Sequence, residues 1–583
     1  MGGSTNDVDT NINTGPGVAI AATPVLEDNN LRRDQYESKQ NQLPLTEQDP
    51  EHKTTPYPRK SLSFKLAFSG LALVLFVFQL DATCLSIALP AISGDLRGTS
   101  LESFWANLAY SLCGLVMQPV SASISQAFGR KYPLYVSVAF FSVGSVVFAT
   151  AKYMSTLIAG RVLQGIGGGG IDVMASVILA DMTALEERSK YLGLMAIPSA
   201  VGNVMGPFVG ALFSTYASWR WIGWINLPLL GVGTILLFFF LKLRAVPLGA
   251  TLVSNLKRLD LVGMPLIVVG ISIFCVPVSW AGSLFPWASW QTLVPLLLGV
   301  AMIAVFAWYE SKPAAPIIPH RLFQSKTGNM ALVGGFVHGM VLISLLQYLP
   351  LFYQAVQLET AISAAVCLLP TVIVSVVVAA VSMMMVPLFG GYVWLLRLSW
   401  VITALGTGLL ALFTVDSPRS MLDGLPILWG QGVSLLRLMM LPAQASVKHA
   451  DDEGLATANF LTIRMFGALV GLAICSPIFN TVFSTSISGA TVDLAGPLAP
   501  LREASNAVNF IGELRTLEVP ASTLNQVLQV YLESFKAIFY TMAALGGLGL
   551  VSSVFLEELE LRRKDRGNQQ FEDDPSDQKG LVP

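Results

Sequence analysis

The amino-acid sequence predicts an all-α membrane protein, a bundle of fourteen transmembrane helices, on three observations. Fourteen separate apolar stretches of about twenty residues run through the 583-residue chain, each long enough to cross a bilayer as a helix. Hydrophobic residues make up 53% and charged residues 12%, with a mean hydropathy of +0.62, far from soluble composition. Lys and Arg also gather at alternate connections, as they do in the cytoplasmic loops of multi-pass proteins. In hydrocarbon every backbone N–H and C=O must be bonded within its own segment, so spans of this length are helical.

Residues 1–60 are polar, rich in Asn, Asp, Gln, Thr and Pro and without the apolar core of a signal peptide. They read as a disordered cytoplasmic tail. Six spans are expected near 64–90, 104–125, 132–151, 156–180, 191–214 and 222–241, which makes 61–242 one six-helix bundle. Two further spans, near 261–280 and 290–308, sit with their linkers in 243–328. The last six, near 330–354, 361–386, 392–414, 424–442, 457–480 and 531–555, form a second bundle over 329–556, interrupted by an extracytoplasmic loop at about 481–530. Residues 557–583 read as a charged cytoplasmic tail.

With the N-terminus inside, Arg59, Lys60, Arg130, Lys131, Arg188, Lys190, Lys242, Arg244, Lys312, Arg321, Lys326 and Lys448 fall on the cytoplasmic side. Arg97, Lys152, Arg220, Arg419, Arg502 and Arg515 fall opposite, so both termini are expected to be cytoplasmic. Thirty-five basic against 37 acidic residues, with no basic aromatic stripe, give nucleic acid nothing to bind. The five cysteines lie in apolar spans without metal-ligand spacing, and the four histidines are dispersed. No metal or cofactor is expected.

An ionisable side chain inside a span costs a few kcal/mol unless it meets a partner or a cavity, which marks it as a functional candidate. Asp81 lies well into span one; Arg161 lies about one turn into span four, ahead of Gln164, Gly165 and the run Gly167–Gly170. Antiparallel packing of these two spans brings Asp81 and Arg161 to similar depths in one water-accessible crevice. Such a pair can exchange a proton, and a static structural ion pair is the alternative. Asp172 lies deeper on span four. Arg397, Arg464 and Lys536 are expected to snorkel to an interface, and Arg437 divides between substrate contact and helix-to-helix bonding. In span five, Gly202, Gly206, Pro207 and Gly210 place a flat stripe beside a helix bend. Polar residues on apolar spans are cavity candidates: Asn107, Tyr110, Gln118, Gln164, Asn203, Gln347, Gln354, Gln431 and Asn459.

These pieces resemble the major facilitator superfamily and, within it, the fourteen-span drug:proton antiporters of fungi. LDATCLSIALP (80–90) is similar to the first-span motif LDxTIVNVALP, LIAGRVLQGIGGG (157–169) to the proton-coupling motif built on Arg161, and AVGNVMGPFVGALF (200–213) to the antiporter motif of span five. WRWIGWINLPLLG, PIIPHRLF and YLPLFYQAV also look like family landmarks. The resemblance covers about 62–560 and implies two six-helix bundles plus two extra central helices. It also implies monomeric, proton-coupled export of an apolar or amphipathic small molecule, a drug or secondary metabolite, across the plasma or vacuolar membrane. Uptake or vacuolar loading of amino acids or iron chelates is the other transporter reading. The loop pattern GxLxDRxGRK appears as ASISQAFGRK, with Gln126 at the acidic position and Ala127 at the first Arg. Arg130 and Lys131 remain, and the resemblance pairs Arg130 with Asp181. No GxxxxGK[ST] phosphate loop or TVGYG filter is present, which disfavours an ATP-driven pump or a potassium-type channel.

Overall fold

The computed structural model describes residues 60–572, apart from 245–254, 256–258, 282–284, 314, 390, 491–493, 495 and 562–570. The expected tails at 1–59 and 573–583 lie outside the described residues. Eight helices cover the first part of the chain: α1 (Leu62–Leu96), α2 (Ser100–Phe128), α3 (Lys131–Ala149), α4 (Met154–Met182), α5 (Leu185–Tyr216), α6 (Trp221–Phe240), α7 (Gly263–Trp280) and α8 (Trp290–Tyr309). Eight more follow, besides one α-helical turn at Ala507–Phe510: α9 (Lys326–Ala355), α10 (Ala361–Cys367), α11 (Leu369–Phe389), α12 (Val393–Leu409), α13 (Arg419–Gly430), α14 (Gly432–Ala445), α15 (Glu453–Gly489) and α16 (Ala521–Val554). Polar residues placed between apolar runs start them. Ser61 accepts the Phe64 N–H at 3.1 Å, while Thr99 and Glu102 cap α2 reciprocally, at 3.2 and 2.8 Å.

Among the described residues thirteen helices are long and apolar enough to cross a membrane. The expected span at 424–442 is the exception. There α13 and α14, of 12 and 14 residues, are separated only by the turn residue Gln431, whose backbone keeps right-handed helical angles (φ −61°, ψ −25°). The sequence there is Gly-Gln-Gly, and close approach explains Gly430, where a Cβ would lie 2.6 Å from the Thr371 carbonyl of α11. His338 of α9 donates Nε2–H to the Gly432 carbonyl at 2.6 Å, just beyond that turn. Near 481–530 the helices reach further than expected, so only 490–520 connects α15 to α16. That connection buries Leu498, Leu501, Phe510 and Leu514.

In the first group of helices α4 is held between α2 and α3, and α1 lies against α5 and α6. In the last, α9 packs on α15, α16 and α14, and α12 packs on α13 and α16. The two groups meet where α5 faces α11 and where α2 and α4 face α15. Helices α7 and α8 pair with each other, and α7 rests against α2 and α15. At one end the C-terminal segment returns to the first group: Phe571 packs edge-on to Phe64 and the Glu572 N–H donates to the Lys242 carbonyl at 3.0 Å.

Candidate functional site

The glycine run on α4 is what lets three helices close around Asp81. A Cβ on Gly165 would lie 2.5 Å from the Tyr110 carbonyl of α2, and one on Gly144 of α3 would lie 2.5 Å from the Gln164 nitrogen. With backbones in contact, short side chains span the gaps. Arg161 donates from Nη1 to Asp81 Oδ2 at 2.6 Å and to Gln164 Oε1 at 3.0 Å. Asp81 Oδ1 accepts from Gln164 Nε2 at 3.2 Å and from Asn226 Nδ2 at 2.8 Å. Ser145 Oγ accepts from both amides, at 3.1 and 3.2 Å. The guanidinium also stacks on Tyr110, 4.0 Å from the ring centroid, while the Tyr110 hydroxyl donates to the Phe78 carbonyl at 3.1 Å.

Asp81 and Arg161 are each 1% exposed. In this conformation neither side chain reaches water, and the pair is enclosed among α1, α2, α3, α4 and α6. Two Arg161 donors, Nε and Nη2, have no hydrogen-bond partner. A buried pair of this kind contributes little net stability, but removing one partner strands the other charge. Tyr110 and Gln164, expected to face a cavity, instead belong to this constellation. Asn226 and Ser145 were not singled out from sequence, although Asn226 is the lone amide in the very apolar α6.

The glycines of α5 seat that helix on α1. A Cβ on Gly202 would lie 2.6 Å from the Phe76 carbonyl, and Cβ atoms on Gly206 and Gly210 would overlap Thr83 Oγ1 and the Cys84 carbonyl. Pro207 has no N–H for the Asn203 carbonyl four residues back. Thr83 supplies the missing donor across the interface, from Oγ1 at 3.0 Å. Asn203 itself donates its side-chain amide to the Ser199 carbonyl at 3.1 Å.

A second cluster joins the two helix groups at one end. Arg130 donates from Nε to Asp181 at 2.8 Å and from Nη1 to Ser125 at 2.7 Å. Its Nη2 would sit 3.0 Å from a Cβ at Gly454, in the first turn of α15. Arg188 of α5 caps α4 by donating to the Ala180 and Thr183 carbonyls and reaches Glu453 of α15 at 2.6 Å. Arg321 grips Asp452 bidentately at 2.9 and 2.8 Å. Gln126, at the position expected to be acidic, is half-buried, and Glu453 supplies the carboxylate across the interface instead. Lys131 begins α3 and makes no ion pair among the described residues. Converting Glu453 to Gln should weaken this latch by about 1.5–3 kcal/mol. Hydrogen exchange of segments 180–188 and 450–456 would then accelerate; unchanged exchange would show that the pair carries no load.

Arg464 corrects an expectation. It does not snorkel but lies 7% exposed on α15, 3.8 Å from Asp172, whose Oδ2 accepts from Gln118 Nε2 at 3.0 Å. The glycine at 339 lets α9 pack against the Arg464 carbonyl, which holds that turn of α15 well inside the bundle. Arg397 caps the end of α16 through the Ser553, Val554 and Leu556 carbonyls, and Lys536 pairs with Glu533 at 3.3 Å. Asn107 and Gln347 are half-buried, and Gln354 donates to its own Pro350 carbonyl at 3.3 Å. Gln431 is the turn residue between α13 and α14, and Asn459 is buried with Oδ1 unpartnered. The Arg437 side chain lies outside those the structure describes.

A bundle of membrane-length helices in two packed groups, with charge held in its interior and ion pairs bridging the groups at one end, defines a multi-pass membrane transporter. The Major Facilitator Superfamily profile matches residues 71–472, and the chain belongs to that family. It is 71% identical over 88% of its length to the MFS-type transporter sphD of Aspergillus fumigatus, covering 89% of that protein. It is 32% identical to the efflux pump FUS6 of Gibberella moniliformis, covering 92% of this chain and 96% of that one. Among solved structures, the proton:xylose symporter XylE superposes with a TM-score of 0.50 at 12% identity, over 86% of this chain and 98% of that one. The human organic anion transporter MFSD10 gives 0.50 at 15%, over 85% and 100%; both likenesses concern the fold alone.

Proposed function

We propose that this chain is a proton-coupled exporter of an amphipathic small molecule, a fungal secondary metabolite or drug. It would work as a monomer in the plasma membrane, with the latch end and both termini in the cytoplasm. The observation that carries the reading is the buried Asp81–Arg161 pair, a titratable carboxylate whose partner is already stacked on Tyr110 and bonded to Gln164. When Asp81 takes up a proton, Arg161 keeps those two contacts but loses its counter-ion, so protonation leaves a buried unpaired guanidinium and favours a rearrangement that relieves it. One proton moving inward releases about 2.3 kcal/mol per 100 mV and about 1.4 kcal/mol per pH unit, enough to concentrate a solute outside. The α1–α5 glycine stripe, similar to the antiporter motif, and relatives named as efflux pumps support export over uptake.

The test is expression in yeast stripped of its own pumps, challenged with a panel of amphipathic toxins. The chain should raise tolerance to at least one of them, and a protonophore should remove the protection. Greater accumulation of the toxins, or protection that survives the protonophore, would overturn the proposal.

A further inference from the structure

The C-terminal segment holds both helix groups at the latch end, through contacts that neither the Asp81 constellation nor the latch uses. Its first anchor lies on the second group. The Glu558 carboxylate accepts the Tyr392 and Val393 N–H groups at 2.9 and 3.0 Å, which caps α12, and the Leu559 N–H donates to the Tyr392 hydroxyl at 3.2 Å. The Glu557 N–H donates to Thr327 Oγ1 of α9 at 3.2 Å, and the carbonyl of buried Leu556 accepts from Arg397 at 3.1 Å. The second anchor is Phe571, on the first group. It is 4% exposed, edge-on to Phe64 of α1 with ring centroids 5.7 Å apart, and its backbone pairs with Leu243 beyond α6. Residues 562–574 read RRKDRGNQQFEDD, so the one side chain in this stretch with apolar surface to bury is the one that is seated.

The socket shares its parts with the latch. Phe64 also packs edge-on to Tyr191 of α5, at 5.1 Å. Lys60 lies 5.2 Å from the Phe64 centroid and pairs with Glu187 at 2.5 Å. Glu187 precedes Arg188, which carries the latch to Glu453. A filled socket therefore fixes Phe64 and Lys60, and through them the first turn of α5 in the position from which Arg188 crosses to the other group. The rim is basic, with Lys60, Lys190 over the Tyr191 ring and Lys242, whereas Phe571 is followed by Glu572, Asp573 and Asp574. Opposite charge favours the seated state. The first anchor keeps Phe571 near its seat at a high effective concentration, so release costs no diffusion and reseating is fast.

We propose that Phe571 is a removable plug, bound in a socket of Phe64 and Leu243 backed by Tyr191, and that it braces the latch end closed. With the plug seated, opening must break its contacts as well as the latch pairs; with it released, the latch pairs resist alone. The proposal requires neither proton coupling nor a direction of transport. It is tested by amide exchange of segments 180–188 and 450–456 in the purified full chain, in Phe571→Ala and in a chain ending at Gln570. Both variants should exchange there about tenfold faster than wild type. A synthetic peptide of residues 568–583, added to the chain ending at Gln570, should restore slow exchange, and the same peptide carrying Phe571→Ala should not. Rescue separates release from misfolding, because only a folded socket can be refilled. Unchanged exchange in both variants, or acceleration that the wild-type peptide leaves in place, overturns the proposal.

Discussion

Replacing Asp81 with Asn is expected to reduce pH-gradient-driven efflux to background in reconstituted vesicles, because the substitution removes the one carboxylate that Arg161, Gln164 and Asn226 jointly address. Equilibrium exchange of substrate across the vesicle should persist if the fold survives. Stability must be separated from coupling, since a lone buried guanidinium costs about 3–5 kcal/mol. The double variant Asp81→Asn/Arg161→Gln removes both charges and should recover most of that loss in thermal unfolding, yet remain uncoupled from the proton gradient. Wild-type pumping by either variant would rule out Asp81 as the coupling group. Restored pumping in the double variant would reduce the pair to a structural brace.

Gly206→Val is expected to have the second-largest effect, this time on the fold. The first added carbon overlaps Thr83 Oγ1 and lies 2.6 Å from the Leu80 carbonyl, so α1 and α5 must separate. Separation breaks the bond from Thr83 to the Asn203 carbonyl, which Pro207 has deprived of its helical partner, and no water in the hydrocarbon replaces it. Overpacking costs about 1–3 kcal/mol, and the stranded carbonyl adds about 1–3 kcal/mol more. Asp81 sits two residues before Thr83, so the same displacement reaches the ion pair. The variant should lose most of its monodisperse peak in size-exclusion chromatography. Gly231→Ala on α6, where a Cβ meets nothing within 4 Å, is the matched control and should be indistinguishable from wild type. Thr83→Val isolates the hydroxyl and should cost about 1 kcal/mol. A stable, active Gly206→Val protein would show that α1 and α5 do not depend on backbone contact.

Much of the architecture was legible because lipid imposes a simple rule: an apolar run of membrane length must become a helix. The Gly-Gln-Gly turn at Gln431 was not legible, since glycines in an apolar run resemble the packing glycines elsewhere and these gain their meaning only from Thr371 and His338 on neighbouring helices. Asp81 and Arg161 stood out because charge in a span is expensive. Asn226 and Ser145 did not, because single small polar groups are common in such spans and usually bond to their neighbours. Arg464 was misread for a related reason: distance from a helix end says how far a side chain could reach, while its direction is set by the packing of α15 against α2, α4 and α9. Glu453 was not singled out from the sequence, and it gains its role only because the fold brings Arg188 to it.

By itself, the order of residues determined that the chain crosses a membrane many times, which spans carry charge, and which helices have glycine faces for close contact, since these depend on local composition and on the 3.6-residue period. The tertiary structure alone decided the partners: that Asp81 answers to three donors, that Thr83 covers for Pro207, and that the ion pairs at one end join the two helix groups. Hydropathy is a property of a segment, whereas a hydrogen bond between helices depends on their rotation and separation. Those are set by backbone-to-backbone packing, which links residues as far apart in the chain as Arg188 and Glu453.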